Sequence, residues 1–243
     1  MNQAILKGAF ALACMLALPI ASAVDVQRPD PNRYPAKGGT EYEQSIITIP
    51  LYASGKAEPV EILKLTAFMR LEREAPRTNG LGHRQVEFTI ADWELIGHSN
   101  YLDADVTFKL SDVPVQPKSL VISLTEKADY PAMIVYSAIY DIYIGQKLVA
   151  KNRPGVAFAK NVFEVPPRNI SVAFSKPFTV PVESLTSATA KKLVTSAGGV
   201  EFADGTCEDM SQIEKSVFDK GVEAIRAARA GSGAGTGSGM VDK

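Results

Sequence analysis

Between residues 101 and 111 apolar and polar side chains alternate without a break. Leu102, Ala104, Val106, Phe108 and Leu110 fall on one side of an extended chain, and Asp103, Asp105, Thr107 and Lys109 on the other. A period of two is that of a strand with one wet face, and it restricts the chain to antiparallel sheet structure at this point. The same period recurs upstream, where Leu63, Leu65, Ala67, Met69 and Leu71 predict the inward face of a strand over 59–72. Residues 46–53 are β-branched and apolar around Pro50, which predicts a first strand at an edge or a bend.

One stretch breaks the alternation in an informative way. Val86, Phe88 and Ile90 occupy even positions, whereas Ala91, Trp93 and Leu95 occupy odd ones. A strand changes face in this manner only by inserting a residue, so a β-bulge is predicted near Ile90 to Asp92. The segment 133–144 is apolar or aromatic on both faces and reads as a central strand. Shorter candidates follow at 118–126, 147–150, 155–159, 162–165 and 169–175, separated by Pro and Gly turn residues. About nine short strands at this spacing predict a mainly β fold, an antiparallel β-sandwich occupying residues 46–182.

The two ends read differently. Lys7 precedes an apolar run from Gly8 to Leu18, followed by Pro19 and the small residues Ala21, Ser22 and Ala23. That order predicts a signal peptide over 1–23, cleaved before Val24. Its apolar core of about 11 residues is short of the ~20 needed to cross a bilayer, so no transmembrane anchor is expected and the chain is placed as secreted or periplasmic. Residues 24–45, with Pro29, Pro31 and Pro35, read as an extended leader. Residues 183–230 read as a helical C-terminal segment, with a short helix at 184–197 and an amphipathic one at 209–229. The latter carries a stripe of Met210, Ile213, Val217, Val222, Ile225 and Ala228, and Thr206 with Asp209 has the spacing of a capping pair. The tail, 231–243, is rich in Gly and Ser and reads as disordered.

Charge and cysteine content narrow the function classes. The full chain carries 26 Lys+Arg against 27 Asp+Glu, so it lacks the basic bias of nucleic-acid binding, and no nucleic-acid partner is expected. Of the two cysteines, Cys14 lies in the signal segment, which leaves Cys207 with no disulfide partner in the mature chain.

Residues that could carry chemistry are few. The two histidines, His83 and His98, are 15 positions apart and exclude a closed Cys/His zinc site. A carboxylate such as Asp103 could complete a two-His site, and Asp103 with Asp105 on one strand face would stand about 6–7 Å apart, a separation suited to a hard cation. His83, His98, Asp103 and Asp105 are therefore the candidate metal ligands, against the plainer reading of solvated loop and strand residues. No nucleophile elbow or phosphate-binding loop is present. Tyr136, Tyr140 and Tyr143 with Trp93 are either a buried aromatic row or a stacking platform, and Arg73, Arg77, His83 and Arg84 form a locally basic loop.

These features predict an exported binding or structural module with an unknown protein or glycan ligand, no cofactor and no catalytic residues. The rival readings are a metal-assisted secreted enzyme using His83, His98 and a nearby Asp, with a bound metal ion, and a subunit of an extracellular assembly.

Overall fold

The computed structural model describes residues 33–53, 55–165, 167, 170–174, 178–181, 199–202 and 205–231. The expected signal peptide, the helix at 184–197 and the tail beyond Gly231 lie outside the described residues. The antiparallel, mainly β architecture with a C-terminal helix is the one the alternation predicted. Its strands are β1 (Gly39–Ala53), β2 (Glu61–Arg73), β3 (Arg77–Thr78), β4 (Arg84–Ser99), β5 (Ala104–Leu110), β6 (Lys118–Ser123), β7 (Ala132–Ile144), β8 (Lys147–Val162), β9 (Ile170–Phe174), β10 (Phe178–Pro181), β11 (Gly199–Phe202) and β12 (Gly205–Gln212), followed by the helix α1 (Lys215–Gly231).

Among the described residues the strands join one 12-stranded sheet. Its central path runs β1-β12-β9-β8-β7-β5-β4-β2, and β2 pairs back onto β1 from Glu61 opposite Leu51 to Arg73 opposite Gly39. The sheet thus closes on itself around a shared interior. Strands β5 and β6 share the position between β4 and β7, β5 against the C-terminal halves of both and β6 against Gln85–Thr89 and Ala132–Val135. The short β10 and β11 extend the wall beside the end of β1.

The interior is built from the alternating residues. Leu63, Leu65, Ala67, Met69 and Leu71 of β2 are all buried, as are Val86, Phe88, Ile90 and Leu95 of β4 and Val106, Phe108 and Leu110 of β5. The predicted bulge is present. Arg70 stands opposite Asp92 and Leu71 opposite Ile90, which leaves Ala91 as the extra residue on β4 and lets both Ile90 and Trp93 face inward.

Three expectations are corrected. The chain is not an extended leader up to residue 45: β1 begins at Gly39, and Tyr34 is buried, its amide donating to Asp129 Oδ2 at 2.7 Å and its ring edge-on to Tyr130 at 5.3 Å. The reason is that the inward residues of this part of β1 are Glu41, Glu43 and Ser45, so the stretch has a strand's period but not a strand's polarity. The segment 183–230 is not helical throughout, because β11 and β12 lie in it and β12 is hydrogen-bonded to both β1 and β9. Thr206 and Asp209 accordingly stand on β12 rather than capping a helix, which begins at Lys215. Finally, the strands are longer than expected, the candidates at 147–150, 155–159 and 162–165 being absorbed largely into one 16-residue β8.

The helix packs on the outer face of β1, β2 and β4. Phe218, Val222 and Ile225 are buried against Phe68 of β2, with Tyr42 and Ile96 at the margin. Glu94, wholly buried on the outward face of β4, accepts from Arg226 Nε at 2.7 Å and Arg229 Nη1 at 3.1 Å, so the helix is held by charge as well as by apolar contact.

Candidate functional site

Inside the closed sheet is a cavity of about 80 Å³. Strand β1 contributes Ser45 and Ile47 to it, β2 Met69, and β4 Ile90 and Trp93 on either side of the bulge. From the opposite wall come Tyr136, Ala138 and Tyr140 of β7, Gly155 and Ala157 of β8, and Cys207 and Met210 of β12. Six strands of the ring converge here. A Cβ on Gly155 would stand 2.4 Å from the Tyr140 ring, so glycine here lets that ring lie directly against the β8 backbone. Trp93 packs edge-on to Tyr140 with centroids 5.8 Å apart, and Phe88 edge-on to Tyr136 at 5.7 Å. The lining is apolar and aromatic, with the Tyr136 hydroxyl turned toward Met210 Sδ at 4.0 Å.

Below Tyr136 the interior becomes polar. Glu41 and Glu43 both face inward from β1, and together with Arg73 and Tyr136 they border a second space of about 10 Å³, room for roughly one water. Glu41 Oε1 is paired with Arg73 Nε at 2.6 Å. Glu43 is 1% exposed, and neither of its carboxyl oxygens has a hydrogen-bond partner. Burial, with Glu41 adding to it, pushes the Glu43 carboxyl up to about 8. Burial also pushes the Tyr136 phenol well above its ordinary value, helped by Glu43 and Cys207, and raises Tyr140 as well.

The four candidate metal ligands are not brought together. His83 lies just before β4, its Nδ1 2.9 Å from the Ser123 carbonyl oxygen. His98 lies near the other end of β4, about 50 Å of extended chain away, where its Nδ1 is 2.9 Å from Asp105 Oδ1 of β5. Asp103 is not on the strand with Asp105; it is exposed in the turn before β5, at a φ of 50°. Among the described residues no group of three or more His, Cys, Asp or Glu side chains could hold an ion. The basic loop is likewise committed: Arg73 pairs with Glu41, Arg77 with Glu87, and Arg84 with the buried Asp129 at 2.7 Å.

Of the aromatic residues singled out from the sequence, Trp93, Tyr136 and Tyr140 line the cavity. Tyr143 faces outward, under the Arg229 guanidinium at 5.3 Å. Sequence reasoning missed Ser45 and Glu43, which stand in a run rich in acids. The available signal was the period-two placement of Glu41, Glu43 and Ser45 immediately before the apolar strand.

No family model matches the chain, and no curated protein matches it. Among solved structures, it is similar in fold to DynF from the dynemicin biosynthesis pathway of Micromonospora chersina, with a TM-score of 0.51 and 9% identity over 75% of this chain and 85% of that one. At that identity the likeness concerns the fold alone.

Proposed function

We propose that this chain is an exported binding module that holds a small, largely apolar ligand inside its closed sheet. The observation that carries the reading is the apolar cavity between Trp93, Tyr140, Met69 and Met210, lined also by the small residues Ala138, Gly155 and Ala157. A core of this kind ordinarily fills with side chains, because each unfilled volume forfeits contacts on its lining. An apolar cavity of roughly 150 Å³ accepts benzene, so a space of about 80 Å³ suits a short alkyl chain, or the end of a longer one, better than a ring. Among the described residues no helix is long and apolar enough to cross a membrane.

Trp93 is the chain's only tryptophan and lines the cavity, so its fluorescence reports on occupancy. Titration with 1-butanol is expected to give a saturable change in Trp93 emission, lost in Ala138→Phe, where the added ring fills the space. Circular dichroism checks that the variant keeps its sheet. An emission that does not respond, or responds equally in the folded Ala138→Phe protein, overturns the reading.

A further inference from the structure

Among the described residues Glu43 is a wholly buried carboxyl with no hydrogen-bond partner on either oxygen. Buried carboxyls are ordinarily hydrogen-bonded or ion-paired, and an orphaned one is costly. Here Glu41 already takes Arg73 Nε, and both oxygens of Glu43 remain unpartnered. The described interior around them therefore presents two carboxyls to one guanidinium, an excess of one acid. Tyr136 borders both the space beside Glu43 and the apolar cavity, so the two are neighbours. Phe88 and Tyr136, packed edge-on to each other, both border the space beside Glu43, and aromatic rings beside a carboxylate form a setting that attracts organic cations.

We infer that the ligand is a small organic amine, its ammonium group meeting Glu43 beside Tyr136 and its alkyl portion occupying the cavity. This inference rests on the binding reading above and adds the chemistry of the ligand's polar end. An ammonium donates to the Glu43 oxygens, which lack donors, and balances the charge that Glu43 takes on when it ionises. A neutral alcohol of the same length fills the cavity but supplies no charge.

The test compares n-butylamine with 1-butanol on the wild-type chain and on Glu43→Gln, read by Trp93 fluorescence. The amine is expected to bind the wild type more tightly than the alcohol does, and to weaken about thirtyfold or more in Glu43→Gln, as the loss of one member of a buried charge pair requires. 1-Butanol is expected to bind both proteins alike, which also shows that the variant is folded. Glu43 must ionise to meet the ammonium, so amine affinity rises with pH from 5 to 8 in the wild type and not in Glu43→Gln. Among the described residues, the other ionisable groups bordering the space beside this carboxyl are Glu41 of β1, Arg73 of β2 and Tyr136 of β7; they are the same in both proteins. If amine and alcohol bind alike in both proteins, the amine inference fails and the cavity reading stands. If neither binds the wild type, both fail.

Discussion

Glu43 shows how one residue sets both a liability and a use. Its carboxyl is pushed up to about 8 from an ordinary 4.5, so between those values the unfolded chain has released a proton that the folded chain still holds. Folding therefore loses stability as pH rises through this window, by at most about 1.4 kcal/mol for each pH unit. Below pH 4.5 both states are protonated and the residue adds no pH dependence. Glu43→Gln removes the titration, so the variant should gain stability relative to the wild type by a few kcal/mol between pH 5 and 8, measured by urea denaturation at each pH. A difference that stays constant across that range contradicts the burial argument. The same residue explains what the sequence concealed. Leu63 to Leu71 were legible as an inward face because they are apolar, whereas Glu41, Glu43 and Ser45 point the same way and are polar, so the beginning of β1 read as leader.

Among the elements, β4 and α1 stand at opposite ends of legibility. The bulge at Ala91 could be placed to within Ile90 to Asp92 from the alternation alone, since only an extra residue reconciles Ile90 with Trp93 on one face. The helix was placed correctly only in its later turns. Its buried face is centred on Phe218, while Val217, which the stripe had included, is 46% exposed; the error follows from starting the period at Met210, a residue of β12. Gly221 makes the packing of this helix testable. On an exposed helical surface Gly→Ala stabilises by about 1 kcal/mol. Here a Cβ would stand 2.3 Å from the Phe68 ring, so Gly221→Ala should instead lower stability by about 1–3 kcal/mol, and a raised melting temperature would mean that α1 does not lie on Phe68. Removing both Arg226 and Arg229 should cost about 2–4 kcal/mol by leaving Glu94 buried without its partners, and chemical denaturation of the double variant checks it.

At the scale of the whole molecule, closure is what the strand pattern could not reveal. Alternation specifies which face each strand buries, but the pairing of β1 with β2 and the use of β12 between β1 and β9 are long-range contacts with no local signature. The cavity is a consequence of that closure, since its lining comes from strands at both ends of the chain. The proposed export is tested at this scale too: the chain passed through a bacterial or eukaryotic secretion pathway should have an intact mass beginning at Val24, and a full-length mass would contradict the proposal. The most direct test of the account is where a ligand binds. With methyl-labelled Met, Ile and Val, 1-butanol should shift the NMR signals of Met69, Met210, Ile47 and Ile90 while leaving Val222 and Ile225 under the helix unmoved. Shifts confined to the helix face, or none at all, would show that the interior of the closed sheet is not a binding site.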